Sequence, residues 1–557
     1  MRILVAQMTR MGDVLQTSPL IRSLKQRFPD AHITAMVRRM GKPIAECNPD
    51  IDEIWVYEED DIFLDLRADD SDRLLQAYMK ADAIVRRLRD GRYDVVYNCT
   101  HSLCSAMLFK LAEIPRVVGA HLSDDWRFVW RGLGPNYFLT SVLHRDTNDL
   151  NLCDMFRFFL EDAPPTNGLV MQVDDRSRLE ARALLAAHGI GDSDFLACFQ
   201  LGASDKDKRW PAPSFAELGR LMKERHQARV ALVGVENEAP LGQTFEAHAP
   251  GLAAHLFGKT TIPQLAALLQ RAHVLVTNDT GTMHIAAAVG CPIVLTSVGY
   301  VHFRETGPYG AGHCAVERRR SDVGRSDIRR SESAPDSGIL PAHVLRAVDL
   351  VLEGQTSRTP PRIEDSDELS AIDLFWSAFA PDGCLEWYPV IRREPASTDL
   401  LRAAYRMMWL ERFQGAASAE HRIAGLKQML ASFRLDDTAC LRAWADETRE
   451  SIRGLGARAE KGAAMTERLL AHLRGKGSMR EAKSLVADMI ALDEEMRVYG
   501  EIHRACRPLV AIARFERDNL EGSDPLPLAE RTLEIYNDIR TRAEALMASI
   551  AAVGRMV

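Results

Sequence analysis

What most constrains this chain is an alternation of short apolar runs with longer stretches of helical period, seen from Met1 to about residue 120 and again in a second unit that thins after Gly310. The first run, Ile3 to Ala6, reads as a buried strand. The segment after it sets Leu20, Ile21, Leu24 and Phe28 on one face of a helix. Further strands are expected at Ala31 to Val37, Glu53 to Tyr57, Tyr93 to Asn98 and near Val117. The order then begins again: FLACFQL, ARVALVGVE, HVLVTND and PIVLTSVG read as strands, and SFAELGRLMKE, TIPQLAALLQRA and TGTMHIAAAVG as helices. Strands joined through helices form parallel sheets covered on both faces. The restart predicts two doubly wound α/β domains with a crevice between them, a common place for a ligand.

The spacing divides the chain into a first domain at 1–175, a second at 176–355, a linker at 356–368 and a helical region at 369–557. Residues 121–170, with the turn signals GLGP and DAPPTNG, complete the first domain and lead into the second. The acidic stretch from Glu58 to Asp72 reads as a solvated surface excursion in preference to a metal site, and ERRRSDVGRSDIRRSESAPDSG as an exposed loop. From about Leu369 the pattern reads as almost pure helix, in amphipathic segments without a fixed repeat. Its Met and Trp residues suit core packing.

A formal charge of -8 over 557 residues argues against a broad basic surface for nucleic acid. The ten cysteines show neither CxxC pairs nor regular spacing, so no disulfide framework or zinc site is expected. No window approaches 18 unbroken apolar residues, which makes the cytoplasm the default and leaves peripheral membrane contact open.

Chemistry concentrates where strands end. Gly12 allows a tight turn after the first strand, and Asp13 stands where a helix begins. Open α/β sheets hold ligands at such places, so Asp13 is either a helix cap or a catalytic acid. In VLVTNDTGTMHIAAAVG a strand ends at Asn278 and Asp279 while Thr280 and Gly281 open a helix, whose free N–H groups suit phosphate oxygens. His284 lies on the same helical face as Thr280, to contact a ligand or to pack. Asp279 would repel a diphosphate placed directly against it, and orients the loop or binds a sugar hydroxyl instead. QLGASDKDKRWP sets Ser204, Lys206, Lys208 and Arg209 after a strand, where a lysine can neutralise a departing phosphate. Glu236, after a glycine-bearing strand, is a solvent-facing acid or an acceptor for ribose hydroxyls.

Taken in order, RMGDVLQTSP, GASDKDKRWP, LVGVENE, NDTGTMHIAAAVGCPIV and TGPYG resemble the heptosyltransferase family (glycosyltransferase family 9) of bacterial lipopolysaccharide-core enzymes, over roughly Met1 to Gly354. The resemblance implies two facing Rossmann-like domains of GT-B type, followed here by an all-α region. It also implies inverting, metal-independent transfer of a sugar from a nucleotide-diphosphate donor, ADP-heptose-like, to an acceptor hydroxyl, with no cofactor required. The acceptor it implies is a glycan or lipid-linked saccharide, on lipopolysaccharide core or another cell-surface glycan. Asp13 matches an acid that acts as, or beside, the catalytic base, and Lys208 matches the contact to the donor diphosphate. Glu236 matches the contact to the nucleoside, while Asp279, Thr280 and Gly281 match the diphosphate-sugar site with His284 close behind. Gly12 and Ser204 join this donor-side set. The chain departs from the family at Gln200–Leu201–Gly202–Ala203, where relatives carry a His-Pro-Gly-like opening, and in the arginine-rich stretch after GPYG. Other readings stay open: a protein or other glycan as acceptor, a nucleotide-sugar epimerase, or a non-catalytic binding or assembly protein. A nicotinamide dehydrogenase fits poorly, because no GxGxxG follows the first strand. The helical tail leaves open a protein partner, an oligomer or a role in shaping the acceptor.

Overall fold

The computed structural model describes residues 1–68, 70–319, 338–354, 360–415, 419–436, 438–476 and 478–556. Most of the arginine-rich stretch, at 320–337, and part of the expected linker, at 355–359, lie outside the described residues.

The first sheet holds six strands, β1 (Arg2–Gln7), β2 (His32–Arg38), β3 (Glu53–Tyr57), β4 (Val95–Asn98), β5 (Val117–Leu122) and β6 (Phe128–Arg131), in the order β3-β2-β1-β4-β5-β6. Only β6 runs antiparallel to its neighbour. β1 is central because it is apolar on both faces: Val5 lies between Ala35 of β2 and Tyr97 of β4, and all three are buried. The segment after β1 forms two helices, α1 (Met11–Gln16) and α2 (Ser18–Arg27), divided at Thr17 with Pro19 in the first turn of α2. The acidic excursion is itself helical, over Glu59–Leu66, and leads into a longer helix over Ser71–Asp90 capped by Asp70.

The second sheet is larger than the sequence pattern predicts. It joins β7 (Leu196–Gln200), β8 (Arg229–Val233), β9 (Ala253–His255), β10 (Val274–Thr277), β11 (Ile293–Ser297), β12 (Cys314–Arg318), β13 (Ile372–Phe379) and β14 (Leu385–Pro389), in the order β14-β13-β12-β11-β10-β7-β8-β9. β13 and β14 are antiparallel additions at one edge. The stretch from Leu369 therefore does not open as pure helix: IDLFWSAF pairs with β12, and seven of its eight residues are buried. β14 ends in Pro389 at the sheet edge, where a residue without an N–H is tolerated. Part of the expected linker also packs on this edge, through the Ile363 amide donating to the Val390 carbonyl at 3.0 Å.

The helical region proper begins at Ser397, and two long helices, Thr438–Ala471 and Pro525–Met556, pack together along it. It is seated on both sheets. Asn519 Oδ1 accepts from the Trp130 amide at the β6 edge (3.0 Å), and Glu521 takes the Arg131 guanidinium in two bonds of 2.9 and 2.7 Å. On the other side Arg406 donates to Asp382 and to the Leu385 carbonyl, with all partners buried. Aromatic contacts complete the seat: Trp409 on Tyr137 at 4.8 Å and Phe413 stacked on Phe158 at 4.5 Å.

Candidate active site

In open α/β sheets, ligands lie beyond the C-terminal ends of the strands where the strand order reverses. That point falls between β1 and β4 in the first sheet and between β7 and β10 in the second. The segments leaving these four strands carry the expected Asp13, Lys208 and Asp279, and with them His101, so topology alone brings these residues to one crevice. The two walls touch where the helix Gly281–Ala288 meets α1: a Cβ added at Gly12 would lie 3.3 Å from the His284 ring and 3.8 Å from the Gly281 Cα. Any larger residue at Gly12 presses on His284.

On the first wall Asp13 occupies the third position of α1, not its cap. Its Oδ2 is aimed back toward the turn, accepting from the Arg10 amide at 3.1 Å and lying 2.7 Å from the Thr9 hydroxyl. Thr9 is placed in turn by the buried Gln7, whose Oε1 is also 2.7 Å away. Among the described residues no cation pairs with Asp13, and its Oδ1 has no hydrogen-bond partner. Beside it a cavity of about 320 Å³ opens over the ends of β1 to β4, lined by Thr9, Arg10, Arg38, Tyr57 and His101 among others. A larger cavity of about 580 Å³, lined by His188, Lys223, Arg229 and Lys259, touches none of the crevice residues.

On the second wall the loop after β7 and the loop after β10 are locked by Asn278, a fully buried residue. Its Oδ1 accepts from the Trp210 amide and the Thr296 hydroxyl at 2.9 and 3.0 Å, while its Nδ2 donates to the Leu201 and Gly202 carbonyls. The lysine and the acid are thereby set face to face. Lys208 Nζ lies 3.2 Å from Asp279 Oδ2, with side-chain exposures of 18% and 12%, a screened pair that can still meet a ligand. Thr306 approaches the same Asp279 oxygen at 3.4 Å. Thr280 is the backbone cap of the helix that Gly281 begins, without a side-chain capping bond, so the first amides of that helix remain open. His284 is buried and has an unpartnered Nδ1. Burial lowers its pKa below the ordinary value, against the opposing charges of Asp279 and Asp13, so the ring is neutral at neutral pH.

Two expected residues sit apart from these contacts. Ser204 is exposed in the loop between β7 and the turn Lys206–Lys208, with no hydrogen bond among the described residues. Glu236 is likewise exposed, at the start of the turn Glu236–Glu238. It is Glu238 that turns inward: its Oε2 accepts from the Val235 amide (3.1 Å) and Gln200 Nε2 (2.9 Å). A Cβ on Gly202 would fall 1.6 Å from Glu238 Oε1, so Glu238 occupies the space that glycine leaves. Glu238 does not stand out in sequence, since the second acid of GVENE carries no local signal, and Gln200 is marked only as the start of the departure from the family opening. Among the described residues no group of three or more His, Cys, Asp or Glu side chains is placed to hold a metal ion. Nor is any described helix long and apolar enough to cross a membrane.

Comparison with known proteins gives this crevice a context. The family model for glycosyltransferase family 9 (heptosyltransferase) matches residues 82–322. Lipopolysaccharide heptosyltransferase 3 of Escherichia coli K12 is 25% identical over 289 residues, 51% of this chain and 78% of the relative. Lipopolysaccharide heptosyltransferase 2 of Salmonella typhimurium is 26% identical over 311 residues, 53% of this chain and 82% of the relative. A solved glycosyltransferase family 9 structure from Veillonella parvula shares the fold at a TM-score of 0.52 and 24% identity, covering 63% of this chain and 97% of that one. The family match leaves residues 1–81 and 323–557 outside it, the helical region included. Residues 82–322 of this chain thus match glycosyltransferase family 9 (heptosyltransferase), within a sugar-transferring enzyme whose GT-B core is extended by a helical C-terminal region.

Proposed function

We propose that this enzyme moves a heptose-like sugar from an ADP-heptose-like donor to a hydroxyl of a glycan or lipid-linked saccharide, with inversion at the anomeric carbon. The observation that carries the reading is the pairing of two unlike walls across one crevice: an acid without a cation on one, and a lysine held by an acid beside an open helix N-terminus on the other. The lipopolysaccharide heptosyltransferases among its relatives support heptose as the sugar.

The acceptor binds over the first-domain cavity with its hydroxyl at Asp13. Oδ2 is occupied by Arg10 and Thr9, which leaves Oδ1 to accept the proton. As the acceptor oxygen bonds to the anomeric carbon from one face, the bond to the donor diphosphate breaks on the other. Lys208 and the amides beginning at Gly281 take up the charge on the leaving diphosphate, an electrostatic contribution that grows toward the transition state. Asp279 keeps Lys208 in place rather than contacting phosphate, because like charges repel. Gln200 and Glu238, at the ends of β7 and in the turn after β8, form the side on which the donor's nucleoside rests. Alignment of both substrates between the walls supplies proximity and keeps water from the donor.

The test is an assay of the intact chain with ADP-, GDP- and UDP-activated sugars, ADP-heptose included, against lipid-linked and free saccharide acceptors. Released nucleoside diphosphate and the anomeric configuration of the product are followed by NMR. Transfer from ADP-heptose with inversion is expected. Retention of configuration, or rearrangement of the free donor without transfer, would overturn the proposal.

A further inference from the structure

We infer that Tyr300 is a positioning residue for Lys208, holding its ammonium toward the crevice from the loop that follows β11. This rests on the reading of Lys208 as the contact to the donor diphosphate. A lysine reaches its charge through four rotatable bonds, so an isolated one at a loop end spreads over many rotamers. Here the loop and its lysine are fastened at both ends by one side chain. The Tyr300 ring centre lies 4.8 Å from Lys208 Nζ, within cation–π range. Its hydroxyl donates to Asp205 Oδ2 at 2.7 Å. Asp205 in turn caps the turn Lys206–Lys208, its Oδ1 accepting from the Asp207 amide at 3.1 Å.

The backbone explains why Tyr300 can reach so far. Gly299 has φ +68°, a left-handed conformation that favours glycine, and a Cβ there would fall 2.2 Å from the Asp207 carbonyl oxygen. The two loops therefore meet main chain to main chain, which brings the Tyr300 ring to the Lys208 ammonium. Asp279 also draws the ammonium, at 3.2 Å. The lysine is thus held by a ring and a carboxylate, and its position is set before any donor arrives. Tyr300 is 38% exposed, so a substitution there removes a boundary of the crevice rather than a piece of the core.

The experiment is calorimetric titration of the full chain with ADP, GDP and UDP, on wild type and on Tyr300→Phe, Tyr300→Leu, Lys208→Ala and Lys208→Ala/Tyr300→Leu. Thermal melts confirm folding. Loss of the ring in Tyr300→Leu is expected to weaken the tightest nucleoside diphosphate about five- to tenfold, and Tyr300→Phe, which keeps the ring, about twofold. In the Lys208→Ala background the Tyr300→Leu change should add less than about twofold, because the two substitutions remove one shared interaction. Wild-type affinity in Tyr300→Leu alongside a weakened Lys208→Ala would overturn the inference, as would a Tyr300→Leu loss that persists in full without the lysine. Unchanged affinity in Lys208→Ala would instead bring down the reading of the crevice, and the inference with it.

Discussion

Asp13 and Asp279 face one crevice from opposite walls, each just past a central strand beside a reversal of strand order, yet their neighbours differ in kind. Asp13 is held by neutral donors, a backbone amide and a threonine hydroxyl. Asp279 is held by the ammonium of Lys208, with Thr306 beside it. A carboxylate bound by neutral groups keeps its charge available to an incoming hydroxyl. One bound by a cation uses that charge to fix the cation. The same side chain is thus suited to opposite work by its surroundings, as paired acids in other active sites are. The contrast also accounts for an acid beside a proposed diphosphate site, because its charge is engaged by Lys208.

Substitutions can break this comparison in descending order of effect. Asp13→Asn keeps the shape and the bond from the Arg10 amide but cannot take a proton. Turnover should fall by about 10²- to 10⁴-fold, with nucleoside-diphosphate affinity within about twofold of wild type by calorimetry. Near-normal turnover would remove Asp13 from the role of base. Lys208→Ala should cost about 10²-fold in kcat/KM for the donor and weaken nucleoside-diphosphate binding as well, since the same charge serves ground state and leaving group. Asp279→Asn is the sharper comparison. It frees Lys208 and removes a negative charge, so diphosphate affinity should hold or rise while kcat drops about tenfold as the lysine loses its alignment. If Asp279→Asn instead matched Asp13→Asn in both size and pattern, the two acids would not be doing different work.

The sequence showed the centre of each sheet and one edge, β3, but not the edges at β6, β9 and β14. β1, β4, β7 and β10 read as apolar runs because both faces of a central parallel strand are buried. β6 and β9 are short edge strands that are only partly buried, so neither shows as a continuous apolar run. β13 pairs with β12 across more than fifty residues of sequence, so nothing local could join it to the sheet in place of the helical tail. The crevice follows the same division. Gly12, Asp13, Lys208 and the Asp279–Gly281 stretch were visible because each sits where a strand pattern stops and a helix or turn pattern starts. Asn278 and Tyr300 were not marked out, since their work depends on partners brought in by other strands: Trp210 and Thr296 for the first, Asp205 and Lys208 for the second. The tail's helices were legible by period, but its grip on the β6 edge through Asn519 and Glu521 was not.

The smallest effects separate two acids only two residues apart. From sequence, Glu236 is the acid that follows the strand and matches the nucleoside contact. In the fold, the turn Glu236–Glu238 leaves the first acid exposed and carries the third residue inward, onto Gln200 and over Gly202. Glu238→Gln should raise the donor KM about threefold to tenfold, the scale of one charge-assisted hydrogen bond partly replaced by an amide. Glu236→Gln should stay within about twofold of wild type, as surface substitutions do. The reverse order, with Glu236 the sensitive position, would mean that the turn rearranges when donor binds. In that case the second wall, unlike the first, would not be preformed. Steady-state kinetics on the two variants decides between a wall already built and one completed by its ligand.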